Sequence, residues 1–268
     1  MSAPCAHPVA AIPFVRYGFP LSALIIGSMM PDGVYFLPFL PVSEQLGHTL
    51  AGIVGFCLPV GLVMYWLFHT LFKYPAFSLL PCSHQERIWS VTYRAPERSL
   101  RHWSLVVAAL GIGALTHIAW DSCTHWYGWT VQRLAWLQWP LLHTPSGTLR
   151  IYKVLQHGGT LVGSGILLWW YFVWLRNTSP VSIPVRCSIS VPVKRLLLIS
   201  LCGGAGICGV VLGYMLTSPV HNLASFSTFV VLASKIGMGA LFAGFLLVSI
   251  GWHVGQQQQK HAQETVTP

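Results

Sequence analysis

Apolar residues in this chain run in long unbroken stretches instead of recurring at the 3.6-residue period of a half-buried surface helix. His48–Phe72, Trp103–Ser122, Gly159–Leu175, Leu196–Thr217 and Ser227–Trp252 each approach or exceed the roughly 20 residues a helix needs to cross about 30 Å of hydrocarbon. These runs predict five transmembrane helices. Ahead of them, Pro8–Val15 and Phe19–Met30 are apolar but too short to cross, and Pro13, Gly18 and Pro20 punctuate them. They predict re-entrant or interfacial half-helices. No basic residue precedes the first apolar positions and no small-x-small site follows a proper hydrophobic region, so a retained N-terminus is expected. The expected fold class is therefore an all-α integral membrane protein. Its expected organisation is a helical membrane core over 1–175 carrying the polar cluster discussed below, a cytoplasmic linker over 176–195, two further transmembrane helices over 196–252, and a polar tail over 253–268.

Composition supports this class. Hydrophobic residues make up 54% of the chain and charged ones only 8%, against about a quarter in an ordinary soluble domain. There is too little polar surface to face water on all sides. The net charge of +9 is unevenly placed. Lys73, Arg87, Arg94, Arg98 and Arg101 follow the first span, and Arg176, Arg186, Lys194 and Arg195 follow the third, which predicts that the 73–101 and 176–195 loops are cytoplasmic. Cys123–Gly158, holding Arg133, Arg150 and Lys153, is then extracytoplasmic. The basic excess reads as topology bias and attraction to the lipid bilayer, not as a nucleic-acid surface. The seven cysteines contain no C-x-x-C pair, and there is no phosphate-cradling glycine loop, so neither a thiolate metal site nor nucleotide-driven chemistry is expected.

With only six acidic residues, the position of each carries information. Glu44, Glu86, Glu97 and Glu264 fall in loops or the tail, whereas Asp32 and Asp121 end apolar segments, where an ionisable group costs several kcal/mol and marks a candidate site. His117 and Asp121 lie four residues apart on one helix face, close enough to share a cation or to form a single hydrogen bond. One more helical turn would add His125 to that stripe. The positive-inside topology brings His48, His117, Asp121 and His157 to the same membrane face, with Asp32 across a short loop from His48. The other histidines, His69, His84, His102, His143, His221, His253 and His261, read as interfacial or loop residues.

Taken in order, Ala6-His7-Pro8-Val9-Ala10, Gly27-Ser28-Met29-Met30-Pro31-Asp32, His48-Thr49, His117-x-x-x-Asp121 and Gln156-His157-Gly158-Gly159 resemble the domain of unknown function 4184 family of bacterial membrane proteins. The likeness covers roughly the first two thirds of the chain, and the Gly-Ser-Met-x-Pro-Asp piece is its most specific part. That family in turn resembles the membrane-bound metal-dependent hydrolases and, more distantly, the zinc-dependent phospholipase C and S1/P1 nuclease group. The resemblance implies a divalent metal, zinc by preference, held by some subset of His7, Asp32, His48, His117 and Asp121. It also implies Asp32 and Asp121 as catalytic carboxylates and hydrolysis of a phosphoester or lipid head group. Arg150, Lys153, Gln156 and His157 are then candidates for holding substrate. His7 can join the others only if residues 8–30 double back. A metal-stabilised structural protein and an ion- or proton-coupled transporter remain open beside the hydrolase.

Overall fold

A computed structural model describes residues 6–35, 45–93, 99–144, 147–182 and 189–266. Arg94, Glu97, Arg98, Glu44, Cys5, Arg186 and Cys187 lie outside them. Among the described residues the chain is all-α apart from one hairpin, and five helices are long and apolar enough to span a bilayer, so it is a multi-pass membrane protein.

Two short elements come first. Helix α1 is Pro8–Ala11, with Pro8 in its first turn where no backbone N–H is missed, and a 3₁₀ turn, Ile12–Tyr17, continues it. Gly18 closes that turn at φ 86°, a left-handed position that glycine takes without strain. The chain then reverses into α2, Leu21–Met29, and a 3₁₀ turn at Met30–Tyr35. The half-helices expected from the sequence are present, and they fold back so that His7 and Asp32 finish beside each other.

Helix α3, Leu50–Leu79, contains two π-helical turns, Ile53–Cys57 and Phe68–Phe72. Its expected start at His48 is corrected by capping. Thr49 is extended, its hydroxyl accepts from the Gly52 N–H at 2.9 Å, and His48 is left in a separate 3₁₀ turn, Leu46–His48. Helix α4, Cys82–Thr92, occupies part of the predicted 73–101 loop. Helix α5 is Leu100–Thr124, α6 is Trp129–Arg133, and strands β1 (Pro140–Thr144) and β2 (Gly147–Arg150) pair antiparallel. Helix α7 runs Ile151–Asn177, beginning eight residues before the expected Gly159, so Lys153, Gln156 and His157 stand on a helix and not in a loop. Helices α8, Val191–Thr217, and α9, Leu223–Val266, complete the chain. The polar tail continues α9 as helix.

Two compact units divide these elements. One gathers residues within Met1–Val34, Phe39–Tyr65 and Pro96–Asn177, and its centre is the crossing of α2 and α5. There Ala23, Leu24, Val106, Ala109 and Leu110 are fully or almost fully buried. The backbones touch because Gly27 and Gly113 present no side chain. A Cβ on Gly27 would stand 2.3 Å from the Leu110 carbonyl oxygen, and one on Gly113 would stand 2.5 Å from Leu24 O and Ser28 N. The other unit, within Tyr35–Pro38, Trp66–Ala95 and Thr178–Pro268, packs α8 on α9 through Gly209 and Gly213 against Ala233. A Cβ on Gly203, Gly204 or Gly206 would meet nothing within 4 Å.

Candidate metal centre

All five residues proposed as ligands from the sequence converge within the first unit. His7 is the N-cap of α1, Asp32 sits in the 3₁₀ turn after α2, His48 precedes the Thr49 cap of α3, and His117 and Asp121 lie one turn apart near the end of α5. Asp121 is the hub. Its Oδ2 is 3.2 Å from His117 Nε2 and 3.3 Å from His48 Nε2, and its Oδ1 is 3.8 Å from His7 Nε2. Asp32 faces the same centre, with Oδ1 3.5 Å from His48 Nε2 and Oδ2 3.8 Å from His117 Nε2. The His7 and His117 rings stack at 3.8 Å.

These separations discriminate between two kinds of site. A charge-assisted N–H···O bond is about 2.7–2.9 Å long, and every nitrogen–oxygen pair above is longer. Tetrahedral zinc, with bonds near 2.0–2.1 Å, sets its ligand atoms about 3.3–3.4 Å apart, close to the His117 and His48 distances to Asp121 Oδ2 and shorter than the other three.

The hydrogen bond made by His117 sharpens the point. Its Nδ1 donates to the Ser28 carbonyl at 2.7 Å, and the ring is fully buried. With Nδ1 so engaged, Nε2 faces two carboxylates, 3.2 Å from Asp121 Oδ2 and 3.8 Å from Asp32 Oδ2. His117 Nε2 and Asp121 Oδ1 are both buried with no hydrogen-bond partner. A cation held by this ring and these carboxylates would satisfy both atoms. The Ser28 carbonyl reaches His117 because Gly113 lets α2 sit directly on α5, so the helix crossing sets the orientation of the ligand.

Two ligand triads, His7–Asp32–His117 and His48–His117–Asp121, share His117. Only Nε2 of that ring is available, and one lone pair serves one ion. The cluster therefore fits a single metal.

His125 reaches the cluster, with Nδ1 3.4 Å from Asp121 Oδ1, but both its nitrogens are engaged. The Gln156 amide donates to Nε2 at 2.9 Å. Thr124 gives its hydroxyl proton to the Trp120 carbonyl, so its oxygen accepts from Nδ1 at 3.2 Å. His125 thus braces Asp121 and is not a ligand. Buried Gln156 is held in turn by Lys153, whose Nζ donates to Oε1 at 3.2 Å. Two other sequence candidates are not brought in. Arg150 is committed to the Gln138 carbonyl at 2.7 Å, and His157 is exposed nearly two turns inside α7, not at its start. Away from the cluster, His102 pairs with the Tyr65 hydroxyl and His253 with the Leu71 carbonyl.

Burial, with the neighbouring His117, holds His7 below the ordinary imidazole pKa and so keeps it a neutral donor. Burial pushes Asp32 upward, against the pull of His117 and His48. Folded His7 binds a proton more weakly than it does in the unfolded chain, so its contribution to stability is present above 6.5 and lost as pH falls below it. Metal binding adds to this dependence, because protons compete for every imidazole. We expect the detergent-solubilised protein to lose both bound zinc and thermal stability on acidification through that window, and His7→Ala to flatten the stability profile of the metal-free form. Equal slopes in the two metal-free proteins would contradict the assignment.

A family model described as "Domain of unknown function (DUF4184)" matches residues 1–250. The match reaches past the first two thirds of the chain and takes in the last two spans. No curated protein and no solved structure matches the chain.

Proposed function

This chain belongs to the DUF4184 family, to which no activity is assigned, and from that starting point we propose that it is a membrane-bound, single-metal hydrolase acting on a phosphoester or lipid head group. Zinc is the favoured ion, given imidazole and carboxylate donors. The observation that supports this most is the pair of distances from Asp121 Oδ2 to His48 and His117 Nε2, 3.3 and 3.2 Å, longer than charge-assisted hydrogen bonds and close to the edge of a coordination tetrahedron.

His48, His117 and Asp121 would hold the ion in this reading, leaving a fourth position for water, and His7 and Asp32 stand beside it. When bound, the ion supplies Lewis acidity and lowers the pKa of a water towards neutrality. Asp32 is placed to take a proton from the attacking water as the oxygen of that water bonds to phosphorus. The phosphorus–oxygen bond to the alcohol breaks, and the proton passes from Asp32 to the departing alkoxide. The positive-inside distribution of Lys and Arg supports an extracytoplasmic site in a bacterial inner membrane, with the 73–101 and 176–195 loops cytoplasmic.

Incubating zinc-loaded protein in micelles with a total polar lipid extract, and following head-group release by mass spectrometry, tests the proposal. Product should form with wild type and fall by at least about 100-fold in Asp32→Asn, the scale of a lost general base. A zinc-replete wild type that releases nothing from any lipid or soluble phosphoester would favour a metal-stabilised structural role instead.

A further inference from the structure

We propose that a groove beside His7 seats one acyl chain of an anionic phospholipid, so that substrate reaches the metal centre sideways from the bilayer. This inference rests on the hydrolase reading and narrows its substrate class to a lipid phosphoester.

The groove is a cavity of about 250 Å³ between α1, α5 and α7, smaller than the roughly 300–1,000 Å³ of a typical small-molecule site. His7, Val9, Trp120, Gly159, Gly163 and Ile166 form its walls. Two glycines one turn apart let its walls approach each other closely. A Cβ on Gly159 would lie 2.3 Å from the Trp120 ring, and one on Gly163 would lie 3.2 Å from Ala6. Thr160 also lines it, but its hydroxyl donates to the Gln156 carbonyl on its own helix, so the lining is apolar apart from the His7 ring. His7 belongs to both the groove and the cluster. A chain lying in the groove therefore has its polar end at the metal ligands.

Position and charge identify the occupant. Gly159 and Gly163 are eight and twelve residues into a membrane-spanning helix, about 12–18 Å along its axis. At that depth the outer wall is open, with Val162 63% exposed, and hydrocarbon is the surrounding solvent. The segment leading into this helix carries exposed Trp126, Tyr127, Trp129, Trp136 and Trp139, the residue types that settle at a head-group layer. Arg133 stacks over Trp129 at 4.7 Å, Lys153 stands at the start of α7, and the chain has no acidic residue from 122 to 263. Such a surface complements lipid phosphate.

Photo-crosslinking tests this with protein in nanodiscs of phosphatidylethanolamine and phosphatidylglycerol, doped with phosphatidylglycerol carrying a diazirine on one acyl chain. Label should concentrate several-fold in residues 6–10 and 159–166 over residues 168–174 of the same helix. Val162→Trp and Ile166→Trp fill the groove without touching the cluster and should remove that excess. Leu161→Trp, exposed on the same helix but outside the groove, should leave it. Label spread evenly over all exposed spans, with no response to Val162→Trp, would mean annular lipid only and overturn the proposal. Zinc measured on the same samples separates the two readings. Concentrated label without zinc keeps the groove and removes the hydrolase, whereas zinc with even label removes the groove and keeps the metal.

Discussion

Asp121→Asn should weaken zinc binding by at least about 100-fold, because altering even an outer-shell partner costs 10–100-fold and this carboxylate is in direct line with three histidines. The substitution preserves shape, so packing around α5 survives. His117→Ala should weaken zinc as severely, and it also strips the Ser28 carbonyl of its partner at the α2–α5 crossing. Isothermal titration in detergent reads both. Wild-type affinity in folded Asp121→Asn protein would mean that this carboxylate only accepts hydrogen bonds.

Gly113→Leu should disable the site from a distance. Its Cβ would meet Leu24 O and Ser28 N at 2.5 Å, and these are backbone atoms that cannot swing aside. The two helices must part, and the His117–Ser28 bond that aims Nε2 is lost with them. Overpacking of this kind costs about 1–3 kcal/mol, which should appear as a lower melting temperature together with weaker zinc binding. Gly158→Ala provides the contrast. It has open space around its Cβ position and should be neutral or stabilising by up to about 1 kcal/mol, the helix-propensity difference. Zinc affinity unchanged in Gly113→Leu would show that the crossing does not set the ligand geometry.

The membrane class was legible because a 20-residue apolar run has few other uses, and all five spans expected from such runs are helices here. The cluster was legible for the converse reason. Asp32, His48, His117 and Asp121 stand at the ends of apolar segments, where retaining a polar group needs a cause. His7 had no such signal of its own. Its membership was implied by a family resemblance, and the reversal at Gly18 delivers it to the cluster.

What stayed hidden was carried by groups without a sequence signature. The carbonyl of Ser28 orients His117, and any residue at that position would present one. The tautomer of His125 follows from Gln156 and Thr124, which are 31 and one residue away. Span limits were misplaced where a helix continues beyond its apolar stretch. Helix α7 begins among Lys153 and Gln156, whose polarity reads as loop although their side chains brace the site. The β1–β2 hairpin was missed, its residues lying within a stretch read only as an outer loop.

The most direct test of the account is the metal content of the purified protein, measured by inductively coupled plasma mass spectrometry after incubation with zinc and removal of the excess. One zinc per chain, lost in folded Asp121→Asn, is the predicted result. A wild-type protein that remains metal-free would contradict the central claim and leave the five residues as a hydrogen-bonded cluster.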